Sequence, residues 1–168
     1  MAQKAKMTVR RAKPGDAGRI SEFVSQAWHG RKIVDEAAVL ERFGDVGFLL
    51  AEQDETLVGM LGWQVENLVV RLTDFLVKSV VDRMAVSEAL LAEMEKAADE
   101  LQCEAVLLFL PKSAPVSLIA FCETLGYDAQ TVTDLPRAWK EAAIEGDFSV
   151  EDTVLVKKLR DKRIMRPF

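Results

Sequence analysis

A β-branched run, Leu68–Val77, leads into a helix-forming stretch that reaches about Gln102. A short apolar run, Ala105–Leu110, follows and stops at Pro111. Neither glycine nor proline interrupts the span between Ser79 and Leu101, so a long helix is the natural reading. A strand, a helix and a second buried strand predict a crossover, because parallel neighbours cannot be joined by a tight turn. The two strands are therefore expected to lie side by side, parallel, and to diverge at their C-terminal ends. Few chains of this length can hold such a unit except as part of a mixed sheet covered by helices.

The flanking pattern fills in that sheet. Met7–Lys13 alternates as a strand, and Pro14-Gly15-Asp16 breaks it and opens a helix. Ile20, Phe23, Val24 and Ala27 recur at helical spacing, and Trp28-His29-Gly30 ends that helix. Asp35 is positioned to cap a second helix through Phe43, with Val39, Leu40 and Phe43 facing inward and Gly44 stopping it. Strands are expected at Gly47–Gln53 and Leu57–Glu66, joined by a turn at Asp54-Glu55-Thr56, and Asn67 turns the chain into Leu68–Val77. Beyond Pro111 come a helix over Pro115–Leu125 ended by Gly126 and a strand near Thr131-Val132-Thr133. A short helix at Leu135–Glu145 has Pro136 in its first turn, and a last strand covers Thr153–Leu159. The expected order is β-α-α-β-β-β-α-β-α-β-(α)-β. The fold class is α+β: a mixed central sheet of about six to seven strands with helices on both faces.

A chain of 168 residues fits one domain, here 1–168, with basic tails at 1–6 and 160–168. A domain near this size hides roughly two-thirds of its unfolded surface, so a real core is available. No apolar run is long enough for a membrane span, and the basic first residues are not followed by the apolar stretch of a signal peptide. Two cysteines, Cys103 and Cys122, allow one disulfide but no framework, which points to a reducing, cytoplasmic setting. Charge is uneven. Residues 1–13 carry five Lys/Arg and no acid, and residues 157–168 carry six with one acid, which leaves eleven bases against twenty-six acids between them. That acidic body argues against a nucleic-acid surface. The basic ends read as solvated tails complementing it.

Two segments carry chemistry. The first runs from Val77 to Leu91, with Ser79, Asp82, Ala85 and Ser87 between its ends. The second is Pro115 through Leu118 to Phe121-Cys122, closed by Gly126-Tyr127. Their layout resembles the two signatures of the GNAT superfamily of acyl-CoA-dependent N-acyltransferases. That family's first signature reads Val-x-Pro-x-x-Arg/Gln-x-x-Gly-x-Gly/Ala and leads into a helix with Leu-Leu. Here Val77 and Leu90-Leu91 match, Ser79 stands at the proline, Asp82 at the Arg/Gln, Ala85 at the first glycine and Ser87 at the last small residue. The second reads Asn-x-x-Ala-x-x-Phe-Tyr-x-x-x-Gly-Phe. Here Pro115 falls at the asparagine, Leu118 at the alanine, Phe121 at the phenylalanine and Cys122 at the tyrosine, with Gly126 and Tyr127 at the close.

The resemblance covers nearly the whole chain and implies a GNAT-like fold with acetyl-CoA or CoA as cofactor. The cofactor would lie against Leu76, Val77, Arg83, Met84, Ala85, Val86 and Ser87, where small residues and a helix N-terminus favour a pyrophosphate. Asp82 opposes such an anion, and Arg83 stands next to it as compensation. Local chemistry offers a rival. Ser79-Val80-Val81-Asp82 fits a capping-box template, and Val80, Met84, Ser87, Leu91, Met94, Ala98 and Leu101 fall on one helical face. A helix starting at Val80 would take up the amides of the cradle. Cys122, in register with the proton-donating tyrosine, is a general acid or a buried small hydrophobe. Asp74 and Glu66 are candidate general bases, each also readable as a solvated strand or turn residue. Trp28, His29 and Trp63 are candidates for lining an acceptor pocket, and both tryptophans equally fit core packing. No metal-ligand spacing, phosphate loop, dinucleotide fingerprint or Ser-His-Asp order is present.

Two functions follow. One is an N-acetyltransferase moving an acyl group from acetyl-CoA to a small-molecule or peptide amine, with no covalent enzyme intermediate. The other is a degenerate, inactive member serving as a binding or interaction domain. Neither nucleic acid nor membrane is an expected partner, and a homodimer is compatible with the charge pattern.

Overall fold

The computed structural model describes residues 6–27, 35–66, 68–78, 82–137, 139–141 and 153–159, save 111–115. Among the described residues seven strands and four fully described α-helices follow one another in the expected order, and residues 137 and 139–141, within the expected short helix, are also helical. Strands β1 (Met7–Arg11), β2 (Gly47–Gln53), β3 (Thr56–Glu66), β4 (Val69–Val77), β5 (Ala105–Leu110), β6 (Asp128–Thr131) and β7 (Thr153–Lys158) form one sheet, in the order β1-β2-β3-β4-β5-β7-β6. The helices are α1 (Ala17–Ala27), α2 (Glu36–Arg42), α3 (Arg83–Glu100) and α4 (Val116–Thr124). None of the described helices is long and apolar enough to cross a membrane. The chain divides into two units, Met1–Gln64 with Thr73–Met94, and Val65–Leu72 with Glu95–Phe168.

In the first unit β1, β2 and β3 form an antiparallel meander. Asp54 (φ 49°) and Glu55 (φ 68°) sit in the left-handed region and make the two-residue turn between β2 and β3, the geometry whose twist suits a hairpin. Alternation along β3 separates two faces. Met60 packs with Ile20, Phe23 and Val24 of α1, Val39 of α2, and Phe48 and Leu50 of β2. Gly59, one residue earlier, points the other way, and a Cβ there would meet Val86 at 2.8 Å and Leu90 at 3.2 Å. The first turns of α3 thus lie on the face opposite α1 and α2, and only glycine lets them approach so closely. An ion-pair cluster ties the start of the chain down. Arg10 binds both oxygens of Asp16 and also Glu52, and Arg19 reaches Glu52 and the carbonyl of Glu55.

In the second unit β4 pairs in parallel with β5, as the crossover requires, through Val69↔Ala105, Val70↔Val106 and Arg71↔Leu107. No further pair is described, although both strands run on past the last one. β7 returns antiparallel between β5 and β6. One core cluster here joins Val69, Ala105, Leu107, Phe109, Val154 and Val156 to Val132, Leu135 and Trp139.

Two inward assignments are corrected. Leu40 is exposed, because α2 lasts only seven residues and buries Val39. On α3, Met84 (61% accessible) and Leu101 (51%) face solvent, while Val86, Leu90 and Ala97 join Ser87, Leu91, Met94 and Ala98 inside. The helix runs Arg83–Glu100 and is closed beyond its end by Gln102 (φ 61°), where the amide of Cys103 returns to Ala98 O and that of Gln102 to Asp99 O. This Schellman closure puts Leu101 on the last, open turn. Val80, Trp28-His29-Gly30, Asn67, Pro115 and the tails lie outside the described residues.

Candidate active site

The β4–α3 junction is built around Asp82. Its carboxylate accepts from the amide of Ala85 (3.1 Å) and its carbonyl from the amide of Val86 (3.1 Å), so Asp82 is the N-cap of α3. The amides of Ala85 and Val86 are therefore taken up inside the helix start. Those of Arg83 and Met84 are the ones that helix geometry leaves without an intrahelical acceptor. The side chains of Asp82, Arg83, Met84 and Ala85 are exposed, whereas Val86 and Ser87 are buried. Upstream, Leu76 and Val77 are half-buried at the end of β4, and the amide of Lys78 bonds Val58 O (2.9 Å).

Asp74, four positions earlier on β4 than Lys78, is clamped. Arg42, at the end of α2, donates to both its oxygens, Nη1 to Oδ1 at 3.2 Å and Nη2 to Oδ2, and Thr73 Oγ1 donates to Oδ2 at 2.7 Å. The clamp needs Gly62 on β3, since a Cβ there would stand 2.6 Å from Asp74 Oδ2 and from Thr73 Oγ1. The Arg42 guanidinium also lies 5.1 Å from the Phe48 ring centroid. Glu66 is half-buried and engaged in an interaction of its own.

Trp63 is buried, and its indole lies against Gly47, where a Cβ would meet ring atoms at 2.9 Å. It walls a cavity of about 160 Å³ shared with Phe43, Val46 and Phe48. Trp28 and His29 lie outside the described residues.

The end of α4 is a buried lock. Cys122 is the buried residue of α4 and is fully inaccessible, and burial pushes its thiol pKa up, so the thiol stays protonated. Gly126 (φ 97°) closes α4 in a second Schellman motif, with its amide on Glu123 O and that of Tyr127 on Cys122 O. Tyr127 is buried and donates to Glu95 Oε1 at 3.0 Å. Lys157 of β7 donates to both Glu95 oxygens at 3.0 Å and to Leu125 O at 2.9 Å. Burial foremost, then the Glu95 carboxylate, pushes the Tyr127 phenol far above its usual range. Neither cysteine is in a disulfide, and both are buried.

Sequence reasoning singled out Asp74, Cys122 and Trp63 as candidates but not the groups packed around such residues. Arg42 and Asp74 are 32 positions apart, and Glu95 and Lys157 are 62. The late arginine of a short helix was the one available hint, as a C-terminal cation on α2.

Residues 18–127 match the model of the acetyltransferase (GNAT) family. No curated protein matches the chain in sequence. Among solved structures the chain is similar to the PaiA N-acetyltransferase of Thermoplasma acidophilum in complex with coenzyme A, at 17% identity and a TM-score of 0.67, covering 91% of this chain and 99% of that one. It is similar to YncA of Salmonella typhimurium, whose structure holds its cofactor acetyl-CoA, at 15% identity and a TM-score of 0.67, covering 93% and 95%. The ribosomal-protein-S18-alanine N-acetyltransferase of Escherichia coli gives 15% identity and a TM-score of 0.69 over 97% and 100%. At these identities the likeness is one of fold.

Proposed function

The chain belongs to the acetyltransferase (GNAT) family, and on that premise we propose that it is an N-acetyltransferase that moves the acetyl group of acetyl-CoA to the amine of a small molecule or peptide. The observation that carries this reading is the span of the family match, residues 18–127, which takes in both the β4–α3 junction and α4 through Tyr127. Structures of the same fold that hold coenzyme A or acetyl-CoA support the cofactor.

The start of α3 fits an anionic group. Two amides, those of Arg83 and Met84, lack an intrahelical acceptor, and the helix end adds partial positive charge. The exposed Arg83 side chain stands in the first turn, and the Asp82 carboxylate is occupied on the Ala85 amide. Leu76 and Val77 supply the end of the strand that leads into this turn. Acetyl-CoA would bring an activated thioester: a neutral amine attacks its carbonyl carbon, the C–N bond forms, the C–S bond breaks, and CoA leaves as a thiolate that takes its proton from solvent. Asp74, oriented by Arg42 and Thr73, is our first choice to take the amine proton, with Glu66 second. Cys122 is assigned to packing. The two buried thiols accord with a reducing, cytoplasmic setting.

Thermal unfolding with acetyl-CoA tests the proposal. A ligand at 100 times its Kd stabilises by about 2.7 kcal/mol, which for a domain of this size raises Tm by roughly 5–10 °C. No shift at millimolar acetyl-CoA would return the chain to the reading of an inactive binding domain. Arg83→Ala should weaken CoA binding by about 1–3 kcal/mol.

A further inference from the structure

The two edges of the sheet differ. β1 carries Arg10 and Arg11, and charges of this kind keep an edge strand from pairing with another chain. β6, at the other end of the strand order, reads Asp128-Ala129-Gln130-Thr131, with no lysine, arginine or proline and a regular pairing to β7. The helix that leads into β6 is also unusual. From Val116 to Cys122 α4 has no charged residue and one polar residue, Ser117, yet Cys122 is its one buried residue and Val116 is 80% accessible. A helix apolar all round belongs in an interior, so an exposed one marks a surface that a partner covers. The helix and the edge share one face. Ala129 pairs with Leu155, two residues from Lys157, and Lys157 turns to Leu125 at the end of α4 and to Glu95 of α3. Charge distinguishes the partner. Between residues 14 and 156 acids outnumber bases by twenty-six to eleven, so most of the surface repels a second copy. Residues 116–122 and 129–133 are without charge. A two-fold axis normal to the sheet through β6 keeps the helical face common to both copies, pairs β6 with itself antiparallel and lays α4 beside α4. Only residues on the same face pair across strands, so Ala129 or Gln130 then stands opposite its own copy. Asp128 meets Gln130 in the first case and Val132 in the second, and never another acid.

We propose that α4 and β6 form the interface of a homodimer, in which β6 joins the sheets of two copies into one. Four residues of strand are too few to hold two copies, and the apolar helix supplies the remaining contact. The interface does not depend on the transferase reading. Sedimentation velocity of the full chain, without CoA, tests it. The unaltered protein is expected to be a dimer at micromolar concentration. Val116→Asp should weaken that dimer at least about tenfold, because a buried unpaired charge costs that factor or more. An acid there suits the first turn of a helix, so the fold is spared. Of Ala129→Lys and Gln130→Lys, the one on the axis faces its own charge and should weaken the dimer by a similar factor. Leu40→Asp, at an exposed apolar position on α2 in the first unit, should leave it unchanged. Of Ala129→Cys and Gln130→Cys, the position on the axis should give a disulfide between copies under oxidised glutathione, since directly opposite Cα atoms lie about 4.5–5.5 Å apart. Both native thiols are buried and take no part. The cysteine variants change neither charge nor much volume, so they report the register even where a lysine variant fails to fold. A monomer at high micromolar concentration, a dimer that Val116→Asp leaves intact, or no cross-link from either cysteine overturns the proposal.

Discussion

At the start of α3 the side chains of Asp82, Arg83, Met84 and Ala85 all face solvent, and one carboxylate serves the helix end. At the end of α4 Cys122 and Tyr127 are buried, and Glu95 and Lys157 close on the tyrosine from two other elements. Both regions lie within the family match. One is held by local hydrogen bonds within four residues, the other by contacts spanning 32 and 62 positions. A locally held motif can change its residues at small cost to the fold, because each change touches solvent and a cap. In a buried network such as that of Gly126, Tyr127 and Cys122 any replacement must also pack.

The sharpest way to break this comparison is Lys157→Met. It removes both Lys157 hydrogen bonds to Glu95, leaving that from Tyr127, and the donor to Leu125 O, in a pair whose side chains are only 27% and 22% accessible. We expect a loss of about 2–4 kcal/mol in urea unfolding. A loss below about 1 kcal/mol, the range of surface pairs, would mean that the lock adds nothing over an exposed contact.

Acid sharpens the other side. The Arg10 hydrogen bond, aided by the Lys13 amide and opposed by burial, holds the Asp16 pKa at about 2, below its usual 3.8. A lowered carboxylate stabilises fully above its unfolded value and loses that contribution as pH falls through the folded one. About 2 kcal/mol should therefore drain from the first unit between roughly pH 4 and pH 2. Asp16→Asn should flatten that slope in a pH series of unfolding curves.

Gly126→Ala comes next, at about 1–2 kcal/mol. A Cβ in the left-handed region is strained, and here it also meets Lys157 Cε at 3.3 Å. The smallest effect belongs to Asp82→Ala, which removes an exposed N-cap and should cost about 0.5–1 kcal/mol. The same change removes a negative charge from the proposed anion site, so CoA should bind more tightly as stability falls. Both falling together in parallel titrations would end the idea that the carboxylate opposes the cofactor.

Period and punctuation made the fold legible. The crossover from Leu68–Val77 to Ala105–Leu110, the Asp35 cap and the Gly126 stop are all encoded within a few residues of where they act. The inward face of α3 was less so. Met84 and Leu101 continue the apolar period, yet they fall on the first and last turns, where the helix has no neighbour to cover them. Arg42 on Asp74 and Lys157 on Glu95 were invisible, because strand order, not sequence spacing, brings them together. Trp63 was read as either pocket or core, and it is a core side chain with one wall on a cavity.

The two cysteines, Cys103 after α3 and Cys122 in α4, are in no disulfide, are both fully inaccessible and both belong to the second unit. A thiol reagent can therefore reach neither until the backbone around it opens. Each sulfur is a built-in clock whose labelling rate reports the free energy of local opening at its own position. Unequal rates would rank the end of α3 against α4 without a single substitution, and slowing of only one clock by a bound ligand would locate where that ligand tightens the chain.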